Sequence, residues 1–178
     1  MIPTSDSVGY TRRPTVVLSL IGVCIVVFIY QLGISGIEEQ TFLQKFALIP
    51  RRYFSPEWAA LHGLSPINPL PLVTNTFLHG GFFHILSNLW VLWVFGPPLE
   101  QRLGSGRFLA LYLTAGLAAS LLHTIFNASS AVPALGASGA IAGIIAAYAR
   151  RFPYAWVNVL QPIFIFPLFF TLPVLMFA

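Results

Sequence analysis

Three polar side chains lie inside otherwise apolar stretches of the chain and could carry chemistry. His84 and Asn88 are four residues apart in one such stretch, so they project from the same face of a helix, one turn apart. Ser138 lies in a Gly-Ala-Ser-Gly sequence at the start of a later apolar segment. Polar groups cost free energy in hydrocarbon, so all three are candidate functional residues.

These residue types suit acyl transfer. A serine at a helix N-terminus has unpaired backbone amides and the positive end of the helix dipole beside it, which together stabilise an oxyanion. Ser138 is therefore predicted as a nucleophile, with His84 and Asn88 as side-chain donors to the oxyanion. The missing part is a general base close to Ser138, which is usually a histidine.

The same residues also have structural interpretations. Gly139 and Gly143 form a small-residue pattern that is typical of closely packed membrane helices, and Ser138 could be one more small residue in that seam. His84 and Asn88 could form a hydrogen-bonded pair between helices. These alternatives stay open on the sequence alone.

The other histidines and the single cysteine are predicted to be structural. His62 and His79 precede the second helix and suit an interface or a loop, and His123 is expected to make a local hydrogen bond. Cys24 lies in an apolar run, where it can form no internal disulfide and offers no cluster of metal ligands. The sequence therefore predicts no metal and no cofactor.

The composition indicates that these residues sit in a membrane. Of the 178 residues, 57% are hydrophobic and 8% are charged, and the mean hydropathy is +0.81. Charge this sparse excludes an ordinary soluble domain, and so much apolar surface excludes a disordered chain. The net charge of +4 is scattered rather than gathered in a dense stripe, so nucleic acid is not predicted as a partner.

We predict an all-α fold, a polytopic membrane helix bundle with five transmembrane helices. A cytoplasmic tail covers residues 1–14 and the membrane domain covers residues 15–178. Residues 35–76 mix charges, aromatics and prolines, which indicates short interfacial helices at the membrane surface. A signal peptide is the alternative for the first apolar run, although the run is longer than a typical signal core. The predicted helices span residues 15–34, 82–96, 108–126, 136–150 and 156–178.

The charges at the helix ends give the bundle an orientation and the candidate residues a common depth. Arginines near helix ends fall on one side if successive helices alternate in direction, which makes the N-terminus cytoplasmic. Ser138 and His84 each lie 12 residues, about 18 Å, from the inner end of their helices, which is marked by Arg150 and Gly96. Both should therefore lie about 10 Å below the outer surface of the hydrocarbon core.

Three sequence features, in this order, resemble the rhomboid family of intramembrane serine proteases. They are FLHGGFFHILSN at residues 77–88, LEQRLGSG at residues 99–106 and GASG at residues 136–139. The resemblance implies that Ser138 is the nucleophile and that its partner base is a histidine on a sixth helix. It also implies that His84 and Asn88 stabilise the oxyanion together with the backbone amide of Ser138.

The resemblance further implies structural roles and a substrate class. Glu100 and Arg102 match a turn on the cytoplasmic side whose role is structural, and Gly136 and Gly139 flank the serine. Members of the family cleave transmembrane protein substrates near their outer ends, so the implied partners are such substrates and the lipid bilayer. A bacterial inner membrane is the compartment expected from the family and the charge bias.

The sequence departs from the family pattern in three places. Ala142 stands where many members have an aromatic residue, and Leu70–Pro71 stands where some have a Trp–Arg pair. The third departure is the absence of a sixth helix, so we expect a C-terminally truncated rhomboid that is inactive alone. His123 is the alternative base.

Two other functions compete with the protease. A non-proteolytic rhomboid-like protein would bind transmembrane segments without cutting them. A transporter would show inverted internal repeats, and none is evident in the predicted segments.

Overall fold

Long helices dominate the computed structural model, which describes residues 1–163 and 166–177. This architecture confirms the predicted helical membrane bundle. The helices are α1 (Thr15–Gly33), α2 (Ile37–Phe46), α3 (Arg51–Phe54), α4 (Pro56–Leu61), α5 (Pro71–Thr74), a 3-10 turn (Asn75–Phe77), α6 (Phe82–Leu103), α7 (Ser105–Phe126), α8 (Ser138–Arg151) and α9 (Val174–Phe177). The strands are β1 (Ile2–Asp6), β2 (Trp156–Ile163) and β3 (Phe166–Pro173).

In the described part of the chain, α1, α6 and α7 are long and apolar enough to cross a membrane. The fourth predicted helix is present as α8, but its 14 residues reach only about 21 Å, which is less than the hydrocarbon thickness of about 30 Å. Residues 35–76 fold into short helices joined by turns, as predicted.

Contacts between loops establish that successive helices alternate in direction. At one end of the bundle, the segment before α3 pairs with the loop before α8 through two backbone hydrogen bonds between Leu48 and Ala134, at 3.0 and 2.7 Å. At the other end, the start of α1 bonds to the last turn of α6. We call these the outer end and the inner end, following the predicted orientation.

The second helix does not stop at residue 96, where the prolines predicted an exit into water. Helix α6 continues through Pro97 and Pro98 to Leu103, and Gly104 alone separates it from α7. The inner part of α6 is buried, and a Cβ added at Gly96 would lie 2.7 Å from Cγ2 of Val17 on α1. This close packing against α1 keeps the segment helical, because membrane helices tolerate proline where neighbouring segments pack tightly.

The predicted fifth helix at residues 156–178 is wrong for Trp156–Ile163 and Phe166–Pro173, whereas Val174–Phe177 do form a short helix, α9. Strands β2 and β3 form an antiparallel hairpin there, with Trp156 opposite Pro173. Prolines at positions 162, 167 and 173 recur every five or six residues, and each would remove a helical hydrogen bond. The intervening Val, Phe and Thr residues favour strands. Residues 164, 165 and 178 of that prediction lie outside the described residues.

The predicted N-terminal tail is not free along its whole length. Strand β1 pairs antiparallel with β2, which completes a three-stranded sheet in the order β1-β2-β3. Indole Nε1 of Trp90 on α6 donates to the carbonyl of Pro3 at 2.6 Å. The sheet covers α6 and α8, since Val157 and Val159 are buried in the same core as residues of both helices.

Candidate active site

The small residues around the candidate serine pack α8 tightly against α7. A Cβ added at Gly139 would overlap Cβ of Ala119, and one added at Gly143 would overlap Cβ of Ala115. Gly139 and Gly143, four residues apart on α8, thus face Ala119 and Ala115, four residues apart on the antiparallel helix α7. The structural interpretation of Gly139 and Gly143 is therefore confirmed, and the seam fixes the position of the residue before it, Ser138.

Ser138 is the first residue of α8 and is exposed on a cavity of about 460 Å³. The first hydrogen bond of the helix runs from Ile141 N–H to the Ala137 carbonyl at 2.9 Å. Within the described residues, the amides of Ser138 and Gly139 have no acceptor and Oγ of Ser138 has no partner. The helix start therefore presents a hydroxyl and free N–H donors to one cavity.

His84 and Asn88 meet the loop that leads to the serine. A Cβ added at Gly136 would lie 2.7 Å from Nε2 and Cε1 of His84 and 3.7 Å from Nδ2 of Asn88. Gly136 has a φ of 128°, a conformation that side chains rarely adopt, and the two side chains leave no room for one. The predicted convergence of His84 and Asn88 is thus observed two residues before Ser138.

The donors of these two side chains are available. Asn88 is buried, and its Nδ2 has no hydrogen-bond acceptor in the described structure. The N–H of Gly80 donates to Nδ1 of His84 at 3.5 Å, which leaves the proton of a neutral imidazole on Nε2, the atom beside Gly136. A buried amide without an acceptor is costly, and it marks a position where a further group can bind.

The ring of a second histidine, His79, packs against the ring of His84. The ring of His79 is buried and lies edge-on to the His84 ring, with 5.3 Å between centroids. The Gln31 side chain at the outer end of α1 holds the His79 backbone twice, accepting from its N–H at 3.0 Å and donating to its carbonyl at 3.2 Å. Burial, with a smaller effect of His84, lowers the pKa of His79 to about 4.

Asn75 connects the serine loop to α7. Its Nδ2 donates to Oγ of Ser120 at 2.9 Å and its backbone carbonyl accepts from the Gly136 N–H at 2.9 Å. Asn75, Ser120 and His123 line the same cavity as Ser138. His123 lies one turn farther along α7 than Ala119, toward the outer end, and its Nδ1 lies 3.4 Å from Nδ2 of Asn127.

Glu100 and Arg102 lie far from this cavity, at the inner end. The Glu100 carboxylate is buried and accepts from the N–H groups of Val16 and Val17 at 3.0 and 2.9 Å and from Oγ of Ser105 at 2.7 Å. It therefore caps the N-terminus of α1 from another helix. Arg102 is exposed.

Sequence reasoning missed the two residues that hold the loops of the site. Gln31 lies in an uncharged run that predicts only a membrane span, although an amide in such a run is itself a signal of a polar contact. Asn75 has no such signal, because Ser120 and Gly136, the partners that tie it to α7 and to the serine loop, are distant in sequence. No group of three or more potential metal ligands occurs within residues 1–163 and 166–177.

Comparison with known proteins gives consistent matches. Residues 68–178 match the family described as Rhomboid domain. "Rhomboid protein 1, mitochondrial" of Saccharomyces cerevisiae is 28% identical over 162 residues, covering 88% of this chain and 41% of that protein. "Presenilin-associated rhomboid-like protein A, mitochondrial" of Danio rerio is 36% identical over 100 residues, covering 54% of this chain and 26% of that protein. "Rhomboid protease GluP" of Bacillus subtilis is 43% identical over 76 residues, 43% of this chain and 14% of that protein.

Two consequences follow from these matches. The chain spans less than half the length of these relatives. The relatives include mitochondrial proteins as well as a bacterial one, so the predicted bacterial inner membrane is not supported. The helices that are long and apolar enough to cross a membrane, together with the domain match, indicate an integral membrane protein.

Proposed function

The chain belongs to the rhomboid family, since the domain match covers more than half of it, and we propose that it acts as an intramembrane serine endopeptidase. One observation carries this proposal. The buried Nδ2 of Asn88 has no acceptor and lies beside Gly136, in the loop that delivers Ser138. An unsatisfied donor beside the loop that leads to an exposed serine suits a site that binds an oxyanion.

The proposed nucleophile is Oγ of Ser138. It attacks the carbonyl carbon of a peptide bond, and the carbonyl oxygen becomes the oxyanion. That oxygen accepts from Nε2 of His84, from Nδ2 of Asn88 and from the backbone N–H of Ser138. The donors are held in place before the reaction by the α7–α8 seam and the Gly136 loop, so little reorganisation is needed when charge develops.

The reaction then proceeds through a serine ester. A base takes the proton from Oγ of Ser138 and passes it to the leaving amine, and water later hydrolyses the ester. The resemblance to rhomboid proteases implies that this base is a histidine on a sixth helix. Among the described residues, His123 is the histidine that lines the same cavity as Ser138, and it is the alternative proton acceptor.

The proposed substrates are transmembrane proteins. Ser138 lies at the outer end of α8 and is exposed to its cavity, while α1, α6 and α7 are long and apolar enough to cross a membrane. Water can therefore reach the serine from the outer surface, and a substrate helix can approach it through the bilayer. Cleavage would then fall near the outer end of the substrate's membrane span.

A fluorophosphonate probe tests the nucleophile. The protein is expressed from its complete reading frame, purified in detergent micelles and incubated with the probe. Covalent labelling is followed by gel fluorescence and peptide mass spectrometry. We expect labelling at Ser138 and its complete loss in Ser138→Ala. Ser129→Ala, an exposed serine in the loop before α8, is the matched control and should label like the wild type.

A cleavage assay separates the protease from the rival function. A tagged transmembrane substrate is reconstituted with the protein in liposomes, and we expect cleavage by the wild type and none by Ser138→Ala. Binding of the substrate without cleavage or labelling would favour a non-proteolytic rhomboid-like protein instead. Loss of both labelling and cleavage in His123→Ala, with the fold intact, would identify His123 as the base.

A further inference from the structure

A second cavity lies at the inner end of the bundle, far from the serine. Its volume is about 380 Å³, and it lies where the start of α1, the last turn of α6 and the end of α8 meet. The lining includes Arg12, Arg102, Gln101 and Phe152. Because the ends of membrane helices lie at the level of the lipid headgroups, this cavity opens at that level.

The arginines at this end have no carboxylate partners. All six are exposed, and no ion pair occurs in the described part of the chain; they are Arg12, Arg13, Arg102, Arg107, Arg150 and Arg151. The two nearby acids are already engaged. Glu100 caps α1, and Asp6 accepts from the hydroxyl of Tyr148 at 2.5 Å, while burial raises the Asp6 pKa. The inner end therefore keeps an uncompensated positive charge.

The cations at the outer end are arranged differently. The Arg51 guanidinium lies 5.2 Å from the Trp58 ring centroid, and Lys45 lies 5.3 Å from that of Phe46. Arg52 is buried and donates to the carbonyls of Gln44 and Ser65. Each outer cation thus has an internal partner, whereas Arg12 and Arg102 face an open cavity.

The lining suits a phospholipid headgroup better than a free anion. The cavity has cationic groups beside apolar ones, including Pro98 and Phe152, and the Arg151 guanidinium lies 5.7 Å from the Phe152 ring centroid. The side chain of Gln101 accepts from the N–H groups of Thr11 and Arg12 at 2.7 and 2.9 Å, which holds the Arg12 segment against α6. The backbone of Arg12 is therefore held at the edge of the cavity that its side chain lines.

We propose that this cavity binds the phosphodiester headgroup of an anionic phospholipid through Arg12 and Arg102. Guanidinium groups bind phosphate oxygens in a fork geometry, and basic pockets on the cytoplasmic side of helix bundles suit anionic headgroups. The lipid's glycerol and first methylenes contact the apolar part of the lining. This site is independent of the proposed protease.

Native mass spectrometry of the protein, expressed from its complete reading frame, tests the site. The protein is taken from nanodiscs that contain phosphatidylglycerol or phosphatidylcholine, and retained lipid is counted. We expect retention of phosphatidylglycerol, and affinity about 30-fold weaker in the double variant Arg12→Gln/Arg102→Gln. Arg107→Gln, which removes an exposed charge at the same end but outside the cavity, should retain the lipid.

The control arms make the proposal refutable. Inorganic phosphate that displaces phosphatidylglycerol at comparable concentrations would indicate a simple anion site and overturn the lipid assignment. Equal retention of phosphatidylcholine would also overturn it. If Arg107→Gln lost as much lipid as the double variant, the binding would be due to the overall positive charge of the inner end and not to this cavity, which would overturn the proposal. Arg12→Lys/Arg102→Lys, which keeps the charge, should retain more lipid than the glutamine variant, and equal melting temperatures show that all variants are folded.

Discussion

The two ends of helix α6 differ in whether their buried polar side chains have hydrogen-bond partners. At the outer end, Asn88 is buried and its Nδ2 has no acceptor, while at the inner end Glu100 is equally buried and its carboxylate accepts three close hydrogen bonds from α1 and Ser105. A satisfied buried group contributes to stability, whereas an unsatisfied one costs about 1–3 kcal/mol. One helix thus joins a structural end to the end that holds the proposed active site.

The difference extends beyond the two residues. Both ring nitrogens of His79, near the outer end, also have no partner within the described residues. Around Glu100, Gln101 satisfies two more amides of the segment before α1. Active sites keep such unsatisfied groups because the substrate or transition state completes them. Substitutions at the two ends should therefore separate stability from activity.

Glu100→Ala should have the largest effect, and it should act on stability. The substitution leaves the Val16 and Val17 amides without an acceptor at a buried helix start, so we expect the free energy of unfolding to fall by about 3 kcal/mol or more. Reversible unfolding in mixed micelles measures it. Gln101→Ala, at an exposed position, is the control and should cost about 1 kcal/mol. Equal losses in the two variants would contradict the capping role.

Asn88→Ala should have the opposite profile. We expect the cleavage rate to fall by about 100-fold, the usual result of removing one oxyanion donor, with a change in stability below about 1 kcal/mol. The rate constant of cleavage in liposomes and the unfolding free energy are measured on the same preparation. Ser87→Ala, an exposed neighbour on α6, should leave both unchanged. A large loss of stability with normal activity would make Asn88 a structural residue.

The sequence anticipated the helical part of this comparison but not its detail. The spacing of four residues places His84 and Asn88 on one face of a helix. The predicted distance of 12 residues from His84 to the inner end of its helix is wrong, because α6 continues past Gly96 to Leu103. Contacts with Gly136 nevertheless bring both side chains to the serine loop. The sequence could not show that Glu100 caps α1, since its partners are backbone amides 83 and 84 residues away. Such contacts leave no local pattern.

The two wrong expectations have a common cause. Proline predicts a helix end after residue 96 and does not exclude the predicted helix at residues 156–178, whereas the structure has a continuous helix through Pro97 and Pro98 and strands at Trp156–Ile163 and Phe166–Pro173. Packing decides between the outcomes, because Gly96 lets α1 approach α6 closely, whereas β1 is available to pair with β2. Hydropathy alone does not contain this information.

His79 predicts a pH dependence of stability that is confined to the outer end. Burial lowers its pKa from 6.5 to about 4, so between these values the unfolded chain binds a proton that the folded protein does not. Stability should therefore fall as pH drops from about 6.5 to about 4, and His79 should add no slope above that window. Unfolding free energies measured across the window give the slope.

The slope belongs to His79 only if substitution removes it. His79→Asn and His79→Phe differ in polarity, but neither titrates, so both should flatten the curve in the window whatever their effect on absolute stability. Asp6 acts in the other direction, because burial raises its pKa and the folded protein then binds the proton first. The difference between wild type and variant cancels Asp6. If the difference in unfolding free energy between wild type and variant does not change with pH across the window, then His79 does not titrate as predicted. The contrast between Glu100 and the outer end would then rest on Asn88 alone.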